Sequence, residues 1–198
     1  MRATLLTLAL SVCLAGPALA ATAPDEMVMG SPKAAIRIDE YASMSCVHCA
    51  AFNNDVFPAF KAKYIDTGKV SYSLHEVLTP PESLAAAVFL VARCADRKSY
   101  FTVIDGFFRR QAEVFQSHDL RGPLLAVAKD AGMDETAVNA CLANKSQLDG
   151  LQARLEQGVA AGVTSTPTFF LNGVKLKEGE MTMAELDAAI ARARKKAK

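Results

Sequence analysis

The chain has 198 residues, of which 51% are hydrophobic and 22% charged, with a formal net charge of +1. This is the composition of one sizeable globular domain, or of one domain with an insertion, and not of a disordered chain. The balanced charge offers no basic face to neutralise phosphates, so nucleic-acid binding is not expected.

At the N-terminus, Arg2 precedes an apolar run from Leu5 to Leu14. Gly16-Pro17-Ala18-Leu19-Ala20 then places small residues at −3 and −1 of a cut after Ala20. This is the layout of a secretory signal peptide over residues 1–20. The run is shorter than the ~20 apolar residues that span a bilayer. A lipoprotein signal at Leu10-Ser11-Val12-Cys13 is the rival reading; it would leave a short apolar run, and Val12 is bulky for that cleavage. Cutting after Ala20 removes Arg2 and Cys13 and leaves Cys46, Cys49, Cys94 and Cys141. Export permits disulfides to persist, but four cysteines are too few to frame a chain of this length.

Residues 21–33, with Pro24, Gly30 and Pro32, read as an extended lead-in. Ala35 to Tyr41 alternates as a strand, with Ile36, Ile38 and Glu40 on one face. A helix is predicted to begin near Cys46, with Phe52, Val56, Phe60 and Tyr64 as its apolar stripe. Pro58 predicts a kink within it, and Gly68 stops it. Val70 to Val77 is the next strand. Thr79-Pro80-Pro81-Glu82 signals a helix start, and Leu84, Ala87, Val88, Val91 and Cys94 continue one stripe. Helical patterns follow over 98–115, 120–131 and 134–143, the last capped by Asp134. A longer helix runs from Ser146 to Ala161, ended by Gly162. Pro167 to Leu171 reads as a strand, Asn172-Gly173 as a hairpin turn and Val174-Lys175-Leu176 as its return. Thr182-Met183-Ala184-Glu185 is a capping box for the final helix. The order is a βαβ unit and a ββα unit split by a block of helices.

Cys46-Val47-His48-Cys49 follows a strand and opens a helix in the βαβ unit, which marks a redox motif. The thiolate is the nucleophile of disulfide exchange. At a helix N-terminus, free N–H groups and the dipole favour the Cys46 anion, and His48 can add a donor or a charge. Cys49, one turn further in, is expected to be buried and to act as the resolving thiol. The alternatives are an inert structural bridge and a zinc or copper site; a zinc site lacks a second pair of ligands, since His75 and His118 show no ligand spacing. No metal and no cofactor are implied. Cys94 and Cys141 each lie on the apolar stripe of a helix within the helical block. They can meet as a structural bridge, which we favour, contributing up to ~4 kcal/mol on the chain-entropy model; the alternative is two free thiols packed as small hydrophobes. Phe107, Phe108 and Phe115 are expected in the core. Met27, Met29 and Met44 lie near the active-site half and are candidates to line a peptide surface.

The chain resembles the DsbA-like family of periplasmic thiol–disulfide oxidoreductases, in the thioredoxin superfamily. The likeness rests on the strand ending in Asp39-Glu40-Tyr41, on Cys46-Val47-His48-Cys49, on the helical insertion and on Gly162-Val163-Thr164-Ser165-Thr166-Pro167-Thr168-Phe169-Phe170-Leu171-Asn172-Gly173. It implies an α/β, thioredoxin-like fold: a central mixed β-sheet flanked by helices, formed by residues 21–79 and 146–198, with an inserted all-helical subdomain over 80–145. It also implies a cis bond before Pro167, which places the Thr166 backbone beside Cys46, where it can pair with an extended substrate. Glu40 matches an acidic residue beneath the active site. Burial would raise its pKa and let it relay a proton to or from Cys49. Val47 and His48 occupy the positions that tune the thiolate. Val47 stands where the commonest active site has proline, and Thr166 where the oxidases often have valine, a feature closer to the disulfide isomerases and reductases. Those isomerases usually carry an N-terminal dimerisation domain, whereas only about a dozen residues separate the expected cut from the first strand here.

The function implied is a monomeric periplasmic dithiol oxidase. Its substrates would be reduced exported proteins, and a membrane DsbB-like quinone reductase would re-oxidise it. A reductase or isomerase of the same fold is the alternative, and a non-catalytic peptide-binding or chaperone module the second.

Overall fold

The computed structural model describes residues 25–196; the expected signal peptide and its cleavage site lie outside them. Among the described residues one mixed sheet forms, in the order β1-β3-β2-β4-β5. Its strands are β1 (Val28–Met29), β2 (Ile36–Ala42), β3 (Val70–Glu76), β4 (Thr168–Leu171) and β5 (Val174–Glu178). β2 and β3 run parallel, as a helical crossover requires, and the other neighbours are antiparallel. The central pair is covered on both faces: all of β2 is buried except Arg37 and Tyr41, which are partly so. Strand β1 lies in the segment read as an extended lead-in, and two residues are too few to show alternation. It is held by Val28 opposite Ser73 and Met29 opposite Tyr72. Gly30 follows with φ +89°, and a Cβ there would come within 2.9 Å of the Val70 carbonyl oxygen. Only glycine lets the chain pass.

The helical run after Cys46 alternates two windings. It comprises α1 (Val47–Ala51), a π-helical turn over Phe52–Val56, α2 (Phe57–Phe60) and a second π-helical turn over Lys61–Ile65. The disturbance expected at Pro58, which has no N–H to donate, takes the form of these wide turns. The Phe57 N–H bonds back five residues to Phe52 and the Asp66 N–H five residues to Lys61. The buried stripe follows the same count. Phe52, Phe57, Phe60, Tyr64 and Ile65 face inward, while Val56, expected in the stripe, is only partly buried. Steps of five from Phe52 to Phe57 and from Phe60 to Ile65 match the two wide turns.

The helical block comprises α3 (Glu82–Cys94), α4 (Tyr100–Ser117), α5 (Arg121–Asp130) and α6 (Glu135–Leu142), followed by α7 (Lys145–Ala160) and, after the β4–β5 hairpin, α8 (Met183–Lys196). The caps read from sequence are present: Asp134 accepts from the Ala137 N–H at 2.8 Å. Thr182 and Glu185 exchange bonds, N–H to Oε2 at 2.8 Å and N–H to Oγ1 at 3.3 Å. A disulfide joins Cys94 at the end of α3 to Cys141 of α6. Phe107 and Phe108 are core residues, and Phe115 is partly buried and packed against the core. Met44 and Met27 are buried as well, so they do not line a surface, and Met29 is partly buried.

Helices α1 and α2 cover the sheet face that carries Ile38, Glu40, Tyr72 and Phe169. The Phe52 ring meets Phe169 at 4.7 Å and the Phe57 ring meets Tyr72 at 4.8 Å. On the opposite face Tyr41 stacks on His75 at 4.5 Å and lies against Gly158 of α7. A buried ion cluster closes the C-terminal end of β3: Glu76 pairs with Arg93 of α3 at 2.6 Å and with Arg154 of α7. Among the described residues no helix is long and apolar enough to cross a membrane.

Candidate active site

Cys46 is the N-cap residue of α1, with extended backbone angles (φ −86°, ψ 118°) and a partly exposed side chain. A cysteine here sits where the first N–H groups of the helix have no intrahelical partner. Both sulfurs of the pair are free. The Cys46 thiol is held down to about 5. The largest cause is a hydrogen bond from the Cys49 thiol; the Thr166 side chain and the N–H groups of Cys49 and His48 add to it, against a partial burial that works the other way. Cys49 is fully buried, and that burial, with the Cys46 bond, pushes its own thiol well above the usual range. The two sulfurs thus differ sharply in proton affinity, one poised as an anion and the other kept as a thiol.

His48 acts on this charge less directly than the motif suggests. Its N–H helps the thiolate, but its exposed ring turns to the carboxylate of Glu180, with Nδ1 and Oε1 2.5 Å apart. That carboxylate, more than the Cys46 thiolate, raises the His48 pKa. Glu180 lies in the stretch between β5 and α8 and carries no local sequence signal. Val47 is more than half exposed and projects from the site.

The Thr166–Pro167 peptide bond is cis. Thr166 lies beside Cys46, with its carbonyl oxygen 3.5 Å from Cys46 Sγ. Glu40 is 2% exposed, beneath the start of α1 and opposite Phe169 of β4. Burial lifts its carboxyl to about 8; a hydrogen bond from the Tyr72 hydroxyl, at 2.6 Å, opposes that lift, and the Cys46 charge adds to it. Sequence reasoning missed two further contacts. Gln111, buried on α4, donates from Nε2 to the carbonyl oxygens of Met44 at 2.8 Å and Cys46 at 3.1 Å. Ser43, Ser45 and Thr79 form a hydroxyl cluster behind the turn that precedes Cys46. Gln111 sits on the apolar side of its helix, and a buried amide there is the signal that points to it. His75, which shows no ligand spacing in sequence, is brought to Asp39 and Glu26 in space, but the Arg37 guanidinium pairs with both carboxylates.

Fold and site together define a thioredoxin-like protein with an asymmetric cysteine pair at a helix start. The family model described as Thioredoxin matches residues 22–192. A Rickettsia typhi protein named as a protein-disulfide oxidoreductase is 31% identical over 76% of this chain and 56% of its own length. A Rickettsia bellii protein of the same name is 30% identical over 87% of this chain and 67% of its own. The chain therefore spans little more than half the length of some curated relatives it matches. The crystal structure of Wolbachia pipientis alpha-DsbA1 superposes with a TM-score of 0.79 at 27% identity, covering 90% of this chain and 96% of that one. The chain belongs to the thioredoxin family, among its DsbA-like members.

Proposed function

We propose that this protein is a dithiol oxidase that introduces disulfide bonds into exported proteins in the periplasm, after removal of residues 1–20. The observation that carries this reading is the contrast between Cys46, with a thiol near 5, and Cys49, fully buried with its thiol well above the usual range. A thiolate stabilised in the dithiol form makes the corresponding disulfide a stronger oxidant.

In the oxidising direction a substrate thiolate attacks Cys46 Sγ of the Cys46–Cys49 disulfide. The intramolecular S–S bond breaks, Cys49 leaves and takes up a proton, and a substrate–Cys46 mixed disulfide forms. A second substrate thiolate attacks the substrate sulfur of that bond and expels Cys46 as a stable anion. The electron pair now rests on the cysteine pair, and a membrane DsbB-like quinone reductase removes it. In the reverse direction Cys46 attacks and Cys49 resolves the mixed disulfide. The Thr166-cis-Pro167 segment supplies backbone for an extended substrate beside the sulfur. The thioredoxin-like unit (21–79 and 146–198) carries the chemistry, the helical insertion (80–145) covers it, and Cys94–Cys141 is a structural bridge. The protein works as a monomer.

Equilibrating the Cys46–Cys49 pair with glutathione tests the direction. An oxidising equilibrium is expected; a strongly reducing one overturns the oxidase reading in favour of the reductase or isomerase, which Thr166 favours. A Cys46→Ala variant should lose all oxidation of a reduced exported substrate. Activity equal to the parent's would instead establish the peptide-binding module.

A further inference from the structure

Departure of Cys49 as a leaving group requires a proton in a place water does not reach, since its side chain is fully buried. The groups facing Glu40 define how that proton is handled. From β3 comes the Tyr72 hydroxyl, donating to Oε2 at 2.6 Å, and Tyr72 is itself only 3% exposed. From the start of α1 come Cys46 and Cys49. From α4, Tyr100 bears on Tyr72; its hydroxyl is buried with no hydrogen-bond partner. The strand neighbours Phe169 and Leu74 are apolar. The Tyr72 ring is fixed among Phe57, Phe60 and Phe101, at 4.8, 6.3 and 6.1 Å. The hydroxyl therefore has one fixed aim.

We propose that Tyr72 is a positioning residue of the exchange reaction, its hydroxyl setting how readily the Glu40 carboxyl gives a proton to Cys49 and takes it back. This rests on the disulfide-exchange function proposed above. When the Cys46–Cys49 bond breaks, the electron pair goes to Cys49 Sγ and the proton passes from the Glu40 carboxyl to that sulfur. The resulting carboxylate is held by the Tyr72 O–H. On re-oxidation the same carboxylate takes the proton from Cys49 as it attacks. A phenol donor binds the ionised carboxylate more tightly than the acid, so it offsets the effect of burial and keeps the carboxyl within reach of neutral pH. Without the hydroxyl, the acid form is retained to higher pH and the carboxyl gives its proton to Cys49 less readily.

The test measures the pH dependence of the glutathione equilibrium for the parent, Tyr72→Phe, Glu40→Gln and the double variant. Phenylalanine keeps the ring packing and removes only the donor. The parent should show an inflection near pH 8, which Glu40→Gln abolishes. Tyr72→Phe should move it up by about one pH unit or more, while the pH midpoint of Cys46 alkylation stays near that of the parent. In the Glu40→Gln background, Tyr72→Phe should change nothing further. An inflection that Tyr72→Phe leaves in place, or an effect that persists without Glu40, overturns the proposal. So does a parent curve without the inflection. A parent that exchanges no disulfide with glutathione overturns the underlying function instead. Should Tyr72→Phe fail to fold, 3-fluorotyrosine at position 72, a stronger donor, should move the inflection down, and no movement overturns the proposal equally.

Discussion

At the scale of single residues, several polar groups of the site are held by partners from distant parts of the chain. Gln111 is the clearest case: one buried amide satisfies two carbonyls of the turn that presents Cys46. Gln111→Ala leaves both acceptors without that donor, and a loss of about 1–3 kcal/mol is expected in urea denaturation. Glu180 does the same for the His48 ring. Because the carboxylate favours the protonated imidazole, Glu180→Gln should lower the His48 titration midpoint, read by proton NMR. The two cysteines and Pro167 were legible because local motifs mark them. Gln111, Glu180 and Tyr72 were not, since each acquires its role from a partner 30 or more positions away. Glu40 lay between the two cases: its place on an apolar strand face was visible, but its partner was not.

At the scale of elements, local rules carried most of the reading. The α4–α8 segments appeared in sequence as helical patterns, with caps read for α6 and α8, and the observed ends of α4–α7 differ by one or two residues. The failures have physical causes. Strand β1 is two residues long and exists only because β3 offers an edge. The wide turns around Pro58 shift the inward positions from a step of four to a step of five, which no fixed-period pattern detects. Glu76 at the end of β3 joins two helices to the sheet, with Arg93 from α3 and Arg154 from α7. Removing the anion leaves two largely buried guanidinium groups without it. Glu76→Ala should destabilise the fold by about 3–5 kcal/mol in chemical denaturation, a larger effect than any of the exposed pairs would give.

At the scale of the whole molecule, the cysteine pair couples redox state to stability. The Cys46 thiol lies near 5 in the fold, against about 8.5 in an unfolded chain. An acid with a depressed pKa stabilises the fold fully above its unfolded value, and the contribution is lost as the pH falls through its folded value. Glu40 has the opposite sign: raised to about 8, it costs the fold nothing at low pH and its full penalty above 8. That carboxyl is present in both redox forms, whereas the thiolate exists only in the dithiol. The stability of the dithiol form relative to the disulfide form should therefore grow as the pH rises from about 5 to about 8.5. Paired urea titrations of the two forms across that interval check it; a constant difference would show that the thiolate is not stabilised by the fold.

The two wide turns after Cys46 have a consequence for how this helix tolerates shortening. Each holds one residue more than an ordinary turn of the same rise. Deleting Asn54 would let the first tighten to α-helical pitch with Phe52 and Phe57 still inward, now four apart. The same deletion inside α4 would instead rotate every later side chain by about 100° and expose its core face.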